Sequence, residues 1–161
     1  MFDSGFGGLT VARAVIDLLP AEDLIYLGDT ARYPYGPRPQ EEVKQFAVQV
    51  AQHLVDEYDV KILVVACNTA TAAALSTLQQ MLSIPVIGVV EPGVAALLSA
   101  TRSGRVGVIG TIGTIDSGTY DTAIAEAVRA SEPARTEIGE RDVGRPAKPG
   151  CEQENLSLIH I

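Results

Sequence analysis

The residues with the sharpest chemical meaning form the run Ala66-Cys67-Asn68-Thr69-Ala70. A thiol acts as base or nucleophile as its thiolate, and a helix N-terminus lowers a thiol pKa from its free value of about 8.5. Cys67 ends an apolar, strand-like run and stands where a helix should begin, with Asn68 or Thr69 able to cap that helix. The competing reading is an inert buried cysteine, one of the commonest interior residues. A second run is Asp3-Ser4-Gly5-Phe6-Gly7-Gly8-Leu9-Thr10. Its glycines let the backbone come close to a ligand, and the helix that follows offers free N–H donors to an anion. The run is not G-x-G-x-x-G and no P-loop lysine follows it. It reads either as half of a nucleotide-binding turn or as a plain tight turn, and Asp3 would repel a phosphate. Asp3 can equally be a simple helix cap. A third run, Tyr33-Pro34-Tyr35-Gly36-Pro37, has two prolines that fix φ and push the residues before them toward extended backbone. Such a stiff loop can hold the Gly36 N–H and the Tyr35 ring in place, or serve only as a rigid connector from Asp29 to the next helix.

These residues need elements to position them. Lys61–Ala66 and Arg105–Gly110 read as buried strands, short and rich in β-branched residues, and Leu24–Leu27 and Pro85–Val90 are two further candidates. Near-continuous apolar runs of this kind fit a parallel sheet covered on both faces. Helical spacing marks Gly8–Leu19, Gln40–Tyr58, Thr69–Leu82, Glu91–Ala100 and Thr114–Ala130. Alternating strand and helix predict an α/β fold with right-handed crossovers. In an open parallel sheet, ligands bind outside the carboxyl ends of the strands. Asp3, Cys67 and the Gly110-Thr111 turn all fall at such ends and can converge on one crevice.

Composition narrows the function classes. With 161 residues and 47% apolar content, the chain can bury a real core. A net charge of −8 argues against non-specific nucleic-acid binding, which needs clustered Lys and Arg, but leaves room for an anionic substrate. Two cysteines, Cys67 and Cys151, make no disulfide framework, and nothing marks a secretory compartment. No apolar run approaches the ~20 residues of a membrane span. The expected setting is the cytoplasm, with no membrane partner and no metal.

Five motifs occur in order: Asp-Ser-Gly-x-Gly-Gly at Asp3, Tyr-Pro-Tyr-Gly at Tyr33, Ala-Cys-Asn-Thr-Ala at Ala66, Pro-Val-Ile-Gly-Val-Val-Glu-Pro-Gly at Pro85 and Val-Gly-Val-Ile-Gly-Thr at Val106. In that order they resemble the glutamate racemases, over residues 2 to about 130. The Cys-Asn-Thr element is shared with the wider aspartate/glutamate racemase superfamily, whereas the Asp-Ser-Gly and Tyr-Gly motifs point to the glutamate branch.

The resemblance implies two similar, pseudo-symmetric α/β domains facing each other across the substrate, each with a parallel sheet flanked by helices and one catalytic cysteine. It implies cofactor-independent conversion of L-glutamate to D-glutamate for peptidoglycan. One thiolate removes the α-proton and the other cysteine delivers a proton to the opposite face. By motif match, Cys67 is the first catalytic cysteine and Asp3 the acid that assists it. Asp3-Ser4, Tyr35-Gly36 and Asn68-Thr69 match the substrate-binding pairs. Glutamate is the implied partner, and a homodimer is the assembly suggested for the full-length protein. No pyridoxal-binding lysine is apparent; Lys44 lies on a helical pattern and Lys61 at a strand start.

The chain departs from the family pattern at both ends. Only Met1 and Phe2 precede Asp3, so the first strand reads as truncated, with Met1 a substitute start. The family's second cysteine sits in Gly-Cys-Thr-His, whereas this chain has Gly150-Cys151-Glu152-Gln153. Residues 1–90 are read as the first racemase domain and 91–130 as the start of the second. Residues 131–161, with Pro133, Pro146 and Pro149 and little apolar periodicity, are read as a non-native or disordered tail. Its end, Leu156–Ile161, resembles translated sequencing-adapter DNA. On this reading the 161 residues alone do not racemise glutamate. Two alternatives stay open: another superfamily member, such as an aspartate or hydantoin racemase or a single-cysteine decarboxylase, and a non-catalytic α/β anion-binding module.

Overall fold

Strand and helix alternate from the first residues of the chain. The computed structural model describes residues 1–131 and the strand Leu156–His160. The elements are β1 (Phe2–Asp3), α1 (Leu9–Leu18), β2 (Leu27–Gly28), α2 (Gln40–Tyr58), β3 (Leu63–Val65), α3 (Asn68–Met81), β4 (Val86–Gly88), α4 (Val90–Ala100), β5 (Gly107–Thr111), α5 (Ile112–Asp116), α6 (Thr119–Ser131) and β6 (Leu156–His160). The first four strands form one parallel sheet in the order β2-β1-β3-β4, with Phe2 paired to Leu27 on one side and Val65 on the other. The strand order turns back on itself between β1 and β3. That switch point is where an open α/β sheet leaves a crevice at its carboxyl edge.

The period-two alternation of strand side chains sorts the core into two layers. Phe2, Leu63 and Val65 point to one face and are fully buried beneath Val43, Ala47 and Leu54 of α2 and Ala70, Ala74 and Leu78 of α3. Met1, Val64 and Ala66 point to the other face, where Val11 and Ala12 of α1 meet them. A third cluster, Val90, Val94 and Ile124, joins α4 to α6.

Three features differ from the sequence expectations. The run Arg105–Gly110 does not extend the parallel sheet. It forms β5 in a separate two-stranded sheet, antiparallel to β6, and Ile109 is 72% exposed. The helix expected over Thr114–Ala130 is two helices. Gly118 takes a left-handed φ of 65°, a conformation that costs glycine little and ends α5 before α6 begins. The expectation of an unstructured tail is corrected at Leu156–His160. A short apolar run beside the edge of β5 completes a ladder of backbone hydrogen bonds there. The rest of the tail, 132–155 and 161, including Cys151, lies outside the described residues.

Candidate functional site

The carboxyl ends of β1 and β3 lie side by side, and the turns that leave them carry Asp3-Ser4 and Cys67-Asn68-Thr69. Asp3 does the local work expected of a cap: its Oδ2 accepts the Gly8 N–H at 2.9 Å in a buried position. Gly8 is required there, because a Cβ at this position would stand 2.8 Å from the Asp3 Cβ and 2.9 Å from the Ala66 Cβ. Cys67 is the N-cap of α3, and its sulfur accepts the Ala70 N–H at 3.4 Å. The sulfur also meets the Ser4 hydroxyl at 3.5 Å. The cap and the reactive-thiol readings of these two residues are therefore compatible.

The expected low thiol pKa is not found. Cys67 is 6% exposed, and burial pushes its thiol up. The hydrogen bonds from Ser4 and the Ala70 N–H act in the opposite direction without offsetting burial, and the negative charge of Asp3 adds to the rise. The helix N-terminus favours the thiolate, but desolvation is the larger effect. The Tyr26 hydroxyl, which donates to the Gly5 carbonyl at 3.0 Å, is likewise pushed up to about 12, by burial first and then by Asp3.

Asp3, Ser4, Cys67, Asn68 and Thr69 line a cavity of about 480 Å³. Tyr35 and Gly36 line an adjoining hollow of about 310 Å³ that shares Ser4, Tyr33, Thr69 and Thr111 with it. The structure thus brings all the site residues expected from the sequence to one edge of the sheet, in two hollows with a common wall. Their roles differ in kind. The Tyr35 side chain is buried and its hydroxyl donates to the Asp29 carboxylate, whereas Gly36 supplies backbone: its carbonyl accepts the Gly113 N–H at 3.1 Å.

Two lining residues, Thr114 and Tyr120, are not marked by the sequence motifs. Thr111 caps α5 and, with Thr69 and Thr114, makes a triangle of hydroxyls 3.0–3.1 Å apart. Tyr120 on α6 donates to Asn68 Oδ1 at 2.8 Å. The strand end at Gly110-Thr111 pointed toward Thr111, and the Thr-x-x-Thr spacing of a capped helix start could have added Thr114. Nothing local marks Tyr120, whose partner is 52 residues away.

Residues 8–156 match the family model described as Asp/Glu/Hydantoin racemase. The chain belongs to that family. Among its relatives, a glutamate racemase of Geobacter metallireducens is 59% identical over 124 residues, which is 77% of this chain and 46% of the relative. A solved glutamate racemase isoform of Bacillus anthracis is 52% identical, with a TM-score of 0.75 over 78% of this chain and 47% of that one. A glutamate racemase of Francisella tularensis, solved in complex with D-glutamate, is 38% identical, with a TM-score of 0.65 over 78% of this chain and 46% of that one. The chain thus spans about half the length of these racemases. Among the described residues of this family member, no helix is long and apolar enough to cross a membrane.

Proposed function

We propose that this chain supplies one face of a glutamate racemase site, in which Cys67 exchanges a proton with the α-carbon of glutamate. The observation that carries the reading is the Cys67 sulfur, set at the N-terminus of α3 and in reach of Ser4, inside a cleft at the switch point of a racemase-family sheet. Relatives named glutamate racemase favour glutamate as substrate over aspartate or a hydantoin.

Inversion at carbon needs a base on one face and a proton donor on the other, because a single group would tend to return the proton to the face it left. Cys67 is one of these groups. The second, a cysteine on the opposite face, belongs to the half of the racemase length that this chain does not span. Proton removal moves an electron pair onto the α-carbon and its carboxylate, so N–H and O–H donors must hold that carboxylate. Ser4, Asn68, Thr69 and the Tyr35-Gly36 backbone are the proposed donors, and Asp3 assists Cys67. No pyridoxal phosphate takes part on this reading. Lys44 and Lys61 are paired with Glu41 and Glu22 away from the cleft. On this proposal residues 1–90 are the first domain and 91–130 begin the second. The product would be D-glutamate for peptidoglycan, made in the cytoplasm, and a homodimer is the proposed assembly.

The test is α-proton exchange from each glutamate enantiomer in D₂O, in the full-length protein and its Cys67→Ser variant. The unaltered protein should exchange both enantiomers without added pyridoxal phosphate. The variant should lose exchange from one enantiomer by at least about a hundredfold, since a hydroxyl is a far weaker base than a thiol. Equal exchange of both enantiomers by the variant, or exchange of aspartate in preference to glutamate, would overturn the reading. The 161 residues alone should bind glutamate weakly and not invert it.

A further inference from the structure

Asp29 is a buried carboxylate, 7% exposed, that the proposed chemistry does not use. It follows β2 directly, and its backbone N–H donates to the Asp3 carbonyl at 2.9 Å, which ties it to the strand that carries the site. Its Oδ2 receives two donors: the Tyr35 hydroxyl and, at 2.6 Å, Arg32 Nε. Arg32 is itself fixed from two further sides, by Gln49 Oε1 at 2.7 Å and by the Phe46 ring, 4.5 Å beneath its guanidinium carbon. The loop between Asp29 and α2 is therefore folded around one carboxylate. Tyr35 links this carboxylate to the cleft, because its backbone continues into Gly36.

A buried ion pair is weak evidence for a stabilising role, because desolvation consumes much of the attraction. This pair has a geometric consequence instead. A tyrosine held at both its ring and its hydroxyl has no rotameric freedom, and it presents the next peptide in one orientation. Gly36 in turn sits against Thr111, with no room for a Cβ, which would stand 2.6 Å from Thr111 Cγ2. A small rotation of Tyr35 would therefore either drive Gly36 into Thr111 or withdraw it from the cleft.

We propose that Asp29 is a positioning residue of the cleft: its carboxylate, held by Arg32, fixes the Tyr35 phenol and, through it, the Tyr35–Gly36 peptide on which the substrate carboxylate rests. The inference rests on the proposed glutamate reading.

The experiment compares Asp29→Ala, Tyr35→Phe and the double variant in the full-length protein, by steady-state racemisation of D-glutamate and by thermal melting. Each single variant should raise KM about tenfold, equivalent to ~1.4 kcal/mol, while kcat falls much less, as expected when a binding contact rather than the chemical step is disturbed. The double variant should match the singles, because all three break the same hydrogen bond. Stability should behave differently: Asp29→Ala strands Arg32 and should lower Tm more than Tyr35→Phe, which leaves the ion pair whole. A KM that follows Tm rather than the shared hydrogen bond marks a merely structural pair and overturns the proposal, as do KM increases that multiply in the double variant. Should Asp29→Ala fail to fold, Tyr35→Phe alone decides, and an unchanged KM there refutes the role. An unaltered protein that does not interconvert glutamate enantiomers overturns the glutamate reading as well; an active protein with unchanged KM in Tyr35→Phe overturns only the role of Asp29.

Discussion

Replacing Gly8 by alanine tests whether the turn after β1 is as tight as its geometry implies. The backbone is no obstacle: Gly8 has φ −64° and ψ −10°, which alanine adopts freely. The obstacle is space, because the new methyl would stand 2.8 Å from the Asp3 Cβ and 2.9 Å from the Ala66 Cβ. Both neighbours are stubs of main chain on or beside inner strands and cannot swing away. Overpacking of this kind costs about 1–3 kcal/mol. Moving α1 outward to relieve it also stretches the 2.9 Å bond from the Gly8 N–H to the Asp3 carboxylate, a buried charge-assisted bond worth about 1.5–3 kcal/mol. Lower entropy of the unfolded chain returns about 0.4–1 kcal/mol, so the net loss is about 2–5 kcal/mol. Gly7 is the internal control. A Cβ there meets only Asp3 Oδ2, at 3.7 Å, an ordinary contact. Urea unfolding of Gly8→Ala and Gly7→Ala, followed by circular dichroism, should separate the two clearly. If the two variants lie within about 0.5 kcal/mol of each other, the packing argument is wrong.

Two further outcomes follow from the same cleft. Alkylation of Cys67 by iodoacetamide should show a midpoint pH above that of the unfolded chain, because burial raises the thiol pKa; Ser4→Ala should move it further up and Asp3→Asn down, and a folded midpoint below the unfolded one would contradict the desolvation argument. The sign for stability follows: a thiol held protonated contributes fully below its unfolded pKa near about 8.5 and loses that contribution as pH rises toward the folded value. Thr114→Val keeps the shape of a side chain that is 2% exposed but removes the hydroxyl shared with Thr69 and Thr111; since those two still bond each other, the loss should be about 1 kcal/mol in a denaturant melt, and no loss would mean the triangle is incidental.

Local pattern explains which parts of the fold could be read in advance. The spacing of Val43, Ala47, Val50 and Leu54 delimits α2 at Gln40–Tyr58, the bounds observed. The runs Lys61–Ala66 and Pro85–Val90 contain β3 and β4 but extend past them, because an apolar run continues beyond the last paired residue, whereas Leu24–Leu27 meets β2 only at Leu27 and β5 ends one residue beyond Arg105–Gly110. Periodicity ran straight through Gly118 because apolar spacing does not register a left-handed φ. At the site, residues marked by strand-end motifs were legible, and residues recruited over distance were not. Asp29 gathers Tyr35 and Arg32 from its own loop but looks like an ordinary polar residue in sequence. Tyr120 and Thr114 meet Asn68 and Thr69 only once α5 and α6 have folded back over α3.

The protonated state of Cys67 bears on how the proposed reaction would start. Burial and the charge of Asp3 both disfavour a thiolate, so the resting sulfur holds its proton. A protonated sulfur cannot abstract, but it can donate. Under the proposed function, the resting chain therefore serves the enantiomer whose α-proton is taken on the far face, and Cys67 delivers the replacement. The reverse reaction needs Cys67 as thiolate, and two groups already face the charge that would form: the Ala70 N–H at 3.4 Å and the Ser4 hydroxyl at 3.5 Å. The Ala70 N–H already donates to the thiol, and the thiol itself donates to Ser4 Oγ; a charged sulfur would hold the Ala70 N–H more strongly and would draw the Ser4 O–H toward it, which lowers the cost of the thiolate. The helix N-terminus then acts on the charged state of the sulfur, whereas burial governs its resting state. A site built this way uses one sulfur as donor and as base, with burial setting the cost of the thiolate and the two hydrogen bonds reducing it.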